Sequence, residues 1–339
     1  MKSRRHQTAD LRRRRLLEVL ANGERHSGEE LARQLRVTRS AVWKLIRNLR
    51  DLGIEIEAIA HQGYKLPCAV QLYNEQAIHG AMSQSARAAL SGLDVLLTVD
   101  STNRYLLDTA NPPPGSASVC VAEVQTAGRG RRGRSWVAPF GSGLCLSLAW
   151  QFEESPPDFS ALSLVIGVAI VRALRRLGCH EVQLKWPNDI VHSHRKLAGV
   201  LIDMRGEASG PARVVIGIGM NLHMPAEIRL ALAEQQAAVI TDLHETMRGH
   251  APERNTLVGT IIDELIAALH AFSRDGFAAF KAEWQSHDSL RDSPVRVLSA
   301  NETISGTARG VAPDGALLVD VNGRLHRFMS GDVSLRPVL

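Results

Sequence analysis

The segment "SVCVAEVQTAGRGRRGRSWVAPFGSGLCLSLAW", residues 118–150, constrains the fold more than any other stretch. Gly128, Gly130 and Gly133 satisfy G-x-G-x-x-G, and the apolar run before them reads as a strand, as a dinucleotide-binding unit requires. Such a unit also needs a helix directly after the third glycine. Pro139, Gly141 and Gly143 forbid one, and Leu144, Leu146, Leu148 and Trp150 alternate instead as a second strand. Without that helix, Glu153 and Glu154 lose their meaning as ribose-binding acids, and the dinucleotide fold is excluded. An arginine-glycine nucleic-acid tail is normally long and lies in disordered sequence, whereas this run is short and strung between two strands. What is left is a loop whose glycine N–H groups and guanidiniums close over an anion, the chemistry that phosphates favour. It lacks the G-K-[ST] ending of a P-loop, so ordinary γ-phosphate transfer is not indicated.

A chain of 339 residues suggests two or three modules. The net charge of +5 is unevenly spread: residues 1–66 hold 15 Lys and Arg against 8 Asp and Glu, more than the whole excess. A nucleic-acid partner is therefore expected for this segment alone. Within it, Ser27 and Glu30 form a capping box, and Thr38 caps a second helix whose Val42, Leu45, Ile46 and Leu49 follow helical spacing. Two short helices joined by "RV" make a helix-turn-helix, and "IEIEAIA", the turn at "HQG" and "YKLP" add a two-stranded wing. The second helix turns Arg39, Ser40, Trp43, Lys44, Arg47 and Asn48 away from the core, a set suited to phosphates and base edges in the major groove. The arginines at 12–15 fit a solvated helix face or frayed arm as well as phosphate contact.

Further on, "LDVLLTVDSTN" reads as a strand ending at Ser101, Thr102 and Asn103, three small polar groups suited to a compact polar ligand. "FSALSLVIGVAIVRALRRLG" reads as a core helix. "VQLKWPNDIVHSHRKLAGVLIDM" reads as a strand, a Trp-Pro turn, a strand, a polar turn and a third strand starting at Lys196, which gathers Lys185, Asn188, Asp189 and Lys196 around one hairpin. His192 and His194 read as turn residues rather than ligands. "RVVIGIGMNL" is a buried strand ending at Asn221. Two helices follow, the first capped by Asn255; short alternating runs with turns at Asn301, "PDG" and "NG" then predict a small all-β barrel. Cys68, Cys120, Cys145 and Cys179 lack metal or disulfide spacing and are expected as buried, reduced thiols. No apolar run reaches the roughly 18 residues of a membrane span. No signal-peptide apolar region follows the basic N-terminus, so a cytoplasmic location without membrane contact is expected.

"DSTN", "QTAGRGRRGRSW", "KWPNDI", "RKLAGVLI" and "GIGMNL" occur in the order and approximate spacing of biotin–protein ligases. With the winged helix ahead of them, the chain resembles the bifunctional bacterial type that also represses the biotin operon. The resemblance covers nearly the whole chain and is weakest over residues 224–254. It implies an α+β multidomain fold: a winged helix-turn-helix at 1–68, a central mixed-sheet α/β catalytic domain of the biotin/lipoate ligase type, class II synthetase-like, at 69–290, and an SH3-like β-barrel at 291–339. It implies a ligase that activates biotin with ATP and Mg²⁺ to biotinyl-5'-AMP and transfers it to a lysine of the biotin carboxyl carrier protein of acetyl-CoA carboxylase. Biotinyl-5'-AMP would double as corepressor, placing a homodimer on the biotin operator DNA.

By the same resemblance, Ser101, Thr102, Asn103, Gln125, Gly128, Arg129, Gly130, Arg131 and Lys196 bind biotin, while Arg131, Arg132, Lys196, Asn188, Asn221 and Arg336, in the closing "GDVSLR", bind the nucleotide. Joining two anions requires cations, so Arg129, Arg131 and Lys196 are the expected catalytic ones, Lys196 contacting both carboxylate and α-phosphate. Asp189 either orients the acceptor amine or a metal, or holds the Trp-Pro turn. No built-in metal site is implied, Mg²⁺ arriving with ATP. The C-terminal domain either supports the catalytic domain or takes part in substrate handling. A lipoate–protein ligase would share the adenylation logic, but "GRGRRG" and "KWPND" together with a winged helix favour biotin. A transcription factor that only senses ligand would be expected to lack Arg129, Arg131 and Lys196, which are all present. Residues 224–254 carry no Trp, Tyr or Phe, so whatever packs on adenine is aliphatic there or comes from elsewhere.

Overall fold

The structure, a computed structural model, describes residues 4–154, 156, 158–205, 212–236, 239–298, 302–329 and 334–337, with side chains for all but 4–9, 205, 235–236 and 334–337. Three helices open the chain, α1 (Arg4–Leu20), α2 (Gly28–Leu35) and α3 (Arg39–Asp51), followed by strands β1 (Glu57–Ile59) and β2 (Gly63–Lys65). The expected caps are present: Ser27 Oγ accepts from Glu30 N at 3.1 Å and Thr38 Oγ1 from Ala41 N at 3.2 Å. The turn between them is made at Arg36, in the left-handed region at φ 52°. Val42, Ile46 and Leu49 pack with Leu16, Leu17 and Leu20 of α1. β1 and β2 pair antiparallel as the wing, from Glu57↔Lys65 to Ile59↔Gly63.

The central unit is a seven-stranded sheet of order β3-β4-β5-β9-β8-β7-β6, in which only β3 and β4 run parallel. Its strands are β3 (Leu90–Val99), β4 (Ala117–Gln125), β5 (Gly143–Phe152), β6 (Gln183–Lys185), β7 (Asp189–His192), β8 (Arg195–Arg205) and β9 (Ala212–Asn221). Short helices α4 (Glu75–Ala81) and α5 (Gln84–Ala88) precede it, α6 (Thr102–Leu107) joins β3 to β4, and α7 (Leu162–Arg176) joins β5 to β6. Strand β5 alternates in sequence yet is buried at all ten positions, because helices cover both of its faces. Helices α8 (Ala226–Gln236), α9 (Leu243–Thr246), α10 (Arg254–Asp275) and α11 (Ala278–Ser286) follow β9. The chain ends in an antiparallel five-stranded sheet of order β13-β12-β11-β10-β14, built from β10 (Pro294–Leu298), β11 (Thr303–Val311), β12 (Leu317–Val321), β13 (Arg324–Phe328) and β14 (Ser334–Pro337).

The first unit is fastened to the second. Its apolar core runs on into Leu97 and Val124, with Leu72 and Phe140 packed against it. Arg14 of α1 donates to Tyr73 O at 2.5 Å and Val95 O at 3.2 Å, so this arginine of the 12–15 run is a structural clip. Tyr73 N donates to Glu123 Oε1 at 2.6 Å, and the buried Arg254 donates to Glu123 Oε2 at 3.0 Å with its guanidinium over the Tyr73 ring. A buried ion pair thus ties the connecting segment to β4, the strand that leads into the glycine-arginine loop.

Three expectations change. Asn255 is not the cap of α10, which starts at Arg254; its carboxamide accepts from Asn74 N and donates to Leu72 O, so it too is spent on the connecting segment. Cys68 is exposed, lying just past the wing, while Cys120, Cys145 and Cys179 are buried free thiols, burial pushing Cys179 up to about 11 and Cys145 to about 12. Although no uninterrupted apolar run is that long, α10 is by length and composition apolar enough to cross a membrane, yet 67% of its most apolar window is buried inside the fold, as in a core helix. The turn expected at Asn301 lies outside the described residues.

Candidate functional site

Strands β8 and β9 floor a cavity of about 670 Å³. Three glycines on them face it, Gly199 paired across to Gly219 and Leu201 to Gly217. Each makes room for a neighbour: a Cβ on Gly217 would lie 2.3 Å from Asn103 Oδ1, one on Gly219 2.3 Å from the Trp136 ring, and one on Gly199 3.0 Å from Lys196 Nζ. At Gly217 and Gly219 a side chain would force a neighbour to shift, whereas at Gly199 the flexible end of Lys196 need give by only a few tenths of an ångström.

One wall is a closed polar network. β3 ends at Val99, and Ser101 stands at the N-cap of α6, so Thr102 and Asn103 sit in the first turn of a helix rather than in the strand expected for them. Gln125 Oε1, at the end of β4, accepts from Thr102 N at 2.8 Å and Thr102 Oγ1 at 3.1 Å. Ser147 Oγ on β5 donates to Asn103 Oδ1 at 2.5 Å and lies 2.7 Å from Thr102 Oγ1. Asn103 Nδ2 donates to Asp203 Oδ2 at 2.8 Å.

An adjoining wall carries charge. The glycine-arginine loop folds back on itself as a tight hairpin, with Arg129 bridged to Ser135, Gly130 N donating to Arg134 O at 2.6 Å and Trp136 N to Gly128 O at 3.0 Å. Arg129 pairs with Asp203 at 3.0 Å, and Arg131 donates to Asn188 Oδ1 at 3.1 Å. Burial lowers the pKa of Arg131, an effect that the Asp189 carboxylate opposes and Arg134 and Arg132 reinforce. Lys196 Nζ lies 2.7 Å from Asp189 Oδ1 and 5.7 Å from the centre of the Trp136 ring. The Trp136 indole N–H is buried without a partner among the described residues, a donor that a ligand could use.

Residues after β9 close the top. Lys196 N donates to Val239 O at 3.0 Å and Thr241 N to Lys196 O at 2.9 Å, while Asn221 Nδ2 donates to Thr241 O at 2.9 Å. Glu245 of α9 pairs with Arg195 at 2.6 Å and Arg229 of α8 at 2.7 Å, contacts that hold its carboxyl below the usual range. Leu232, Val239 and Ile240 line the cavity here, an aliphatic cover in the segment that has no Trp, Tyr or Phe.

The cavity therefore brings together Ser101, Thr102, Asn103, Gln125, Arg129, Gly130, Arg131, Lys185, Asn188, Asp189, Lys196 and Asn221. Gly128 and the exposed Arg132 are not among its lining residues. Arg336 has a described backbone, paired with Arg296 in β14–β10, but its side chain and the residues Gly331, Asp332 and Val333 of its motif lie outside the described set. Sequence reasoning passed over Trp136, Ser147, Asp203 and the floor glycines. The repeated small residues in "GIG" and "LAG" were the available signal for the floor; Ser147 and Asp203 do not line the cavity, and strand register alone brings them behind the residues that do. On α3, the six residues expected to read DNA are all exposed, and the Arg47 guanidinium lies 5.5 Å from the Trp43 ring centre.

Known proteins match in the same three parts. The biotin/lipoate A/B protein ligase family matches residues 95–221, an HTH domain family residues 12–65, and the biotin protein ligase C terminal domain residues 292–336. The bifunctional ligase/repressor BirA of Escherichia coli is 39% identical over 95% of this chain and 96% of its own, and that of Bacillus subtilis 30% identical over 95% and 98%. Among solved structures, the biotin protein ligase from Aquifex aeolicus in complex with biotin and ATP is 28% identical, with a TM-score of 0.60 over 73% of this chain and 100% of that one.

Proposed function

The chain belongs to the bifunctional biotin ligase/repressor family, and from that premise we propose how its own residues divide the work. It is an ATP-dependent ligase that attaches biotin to the carrier subunit of acetyl-CoA carboxylase, and its winged helix binds DNA as a repressor. We assign the DNA-binding unit to residues 1–68, catalysis to 69–290 and the small β unit to 291–339. The observation that carries the residue assignment is the pairing of a closed polar wall with a cationic wall across one cavity.

Biotin has an apolar ring system with one polar ureido face, which suits Ser101, Thr102, Asn103 and Gln125 over a glycine floor. Its carboxylate then points toward Lys196 and Arg129, beside the α-phosphate of ATP. Oxygen of the carboxylate attacks the α-phosphorus, pyrophosphate leaves, and biotinyl-5'-AMP results, with AMP as a far better leaving group than oxide. Both reactants are anions, so Lys196, Arg129 and Arg131 lower the barrier by neutralising the charge that converges. Lys196 leaves Asp189 to do so. Asp189 is then placed to orient the acceptor lysine, whose ordinary pKa near 10.4 requires a proton to be shed. Magnesium fits as a counter-ion carried on the triphosphate, because the described residues gather no group of three or more His, Cys, Asp or Glu that could hold it by themselves. Asn188 and Asn221 flank the nucleotide, under Leu232, Val239 and Ile240. Arg132 and Arg336 are proposed to reach the phosphates from outside the lining.

Biotinyl-5'-AMP acts as corepressor in this reading: the ligand closes the glycine-arginine hairpin, a neighbouring surface dimerises, and two copies of α3 meet a two-fold operator. Arg39, Ser40, Trp43, Lys44 and Arg47 make the contacts. Equal dimerisation with and without biotinyl-5'-AMP in equilibrium sedimentation would end the regulatory half and leave the ligase half standing. For the ligase half, purified protein with ATP, Mg²⁺ and labelled biotin should label an apo carrier domain, and lipoate should not replace biotin. An unlabelled carrier would refute it.

A further inference from the structure

Strand β9 presents Arg213, Val215, Gly217, Gly219 and Asn221 on one face. The first three hold α6. Gly217 admits Asn103, whose Oδ1 occupies the space of a Cβ. Val215 packs with Leu106 in a small apolar cluster with Cys120 and Ala149. Arg213, only 6% exposed, donates through NH1 to Thr109 O at 3.1 Å and through NH2 to Leu106 O, with Thr109 Oγ1 at 3.5 Å. These are the last carbonyls of α6 and its exit turn.

A helix of six residues does not hold its own position; its place comes from what it packs on. Its terminal carbonyls have no partner within the helix, and a buried guanidinium is costly unless it meets acceptors. Leu106 O also accepts from Thr109 N at 3.2 Å and from Thr109 Oγ1 at 2.8 Å, so Arg213 adds a buried, charged donor to a turn that is already capped and ties that turn to β9. Arg213 is not among the residues that line the cavity, yet it grips the far end of the element whose first turn carries the polar wall. We propose that Arg213 is a positioning residue for biotin: by clamping the C-terminal end of α6, it sets where Thr102 and Asn103 stand against Gln125 and Ser147. This rests on the reading of Thr102 and Asn103 as biotin contacts.

The test uses the full chain with Arg213→Met, which keeps the length and removes the donors, and Arg213→Lys, which keeps the charge. Direct biotin titration should show affinity falling roughly ten-fold or more in Arg213→Met, in proportion to the lost charge-assisted hydrogen bonds. The KM for ATP should move less than about two-fold, because the cationic wall stands on other elements, and Arg213→Lys should recover part of the biotin affinity. Parental biotin affinity in folded Arg213→Met, or equal weakening toward biotin and ATP, would overturn the clamp. Should Arg213→Met not fold, Arg213→Lys is read by amide exchange, where faster exchange confined to α6 supports the clamp and unchanged exchange overturns it. Asn103→Ala separates the two layers. If it left biotin affinity intact, the reading of the polar wall would fall, whereas an effect of Asn103→Ala with none of Arg213→Met removes the clamp alone.

Discussion

On one wall of the cavity, Thr102 donates to Gln125, Ser147 to Asn103, and Asn103 to Asp203 and Leu201 O, and Asn103 is 3% exposed. On the other wall, Lys196 of β8 and Arg129 of the glycine-arginine loop each rest against a carboxylate, and the Arg129 side chain is 47% exposed. The first wall is complete before any ligand arrives and offers it a fixed shape. The second holds its charges in ion pairs that an incoming anion must displace. Burial explains the division: a polar group out of water needs its partner permanently, while ion pairs that stay partly in water, with Lys196 25% and Arg129 47% exposed, are weaker and exchange more readily. On the proposed roles recognition would be rigid and activation switchable, and Asp203, accepting from both Asn103 and Arg129, joins the two walls.

The largest effect should come from Lys196→Ala, which removes the cation we propose to meet both the carboxylate and the α-phosphate. Adenylate formation should slow by roughly 10² or more, by analogy with loss of one preorganised charge-stabilising group, and rapid-quench measurement at saturating biotin will show it. Gly217→Ala attacks the rigid wall instead. Its Cβ would meet Asn103 Oδ1 at 2.3 Å, and overpacking of this kind costs about 1–3 kcal/mol, so biotin affinity in calorimetry should fall about ten-fold or more while ATP affinity holds. Arg129→Ala and Arg131→Ala should each speed loss of bound biotinyl-5'-AMP by about ten-fold, in line with a charge-assisted hydrogen bond, with the winged helix still folded by its DNA binding. Asp203→Asn, which keeps an acceptor for Asn103 but frees Arg129, should change either affinity only a few-fold, as for a partly exposed pair. A large loss of biotin affinity there would show that the walls are not separable.

The winged helix was legible because its signals are local: a cap three residues from its donor, a helical apolar spacing and a turn. That no helix follows the loop was legible from Pro139, Gly141 and Gly143. The walls were not. Ser147 and Asp203 enter the site only because β5 and β8 flank β9 in a given register, which no local pattern states. Asn255 misled because a capping residue type stood near a helix start, while tertiary contacts to Leu72 and Asn74 had a prior claim on its carboxamide. Arg213 was silent for the same reason: its acceptors lie 104 and 107 positions away.

Biotin-dependent exchange of labelled pyrophosphate into ATP tests the pairing of the two walls most directly, because it reads adenylate formation in this cavity before any carrier protein is involved. Exchange should require biotin, fail with lipoate, drop by roughly 10² or more in Lys196→Ala, and in Gly217→Ala recover its parental maximum once biotin is raised. Exchange without biotin, or a Lys196→Ala variant that exchanges like the parent, would contradict the assignment of the cationic wall to activation.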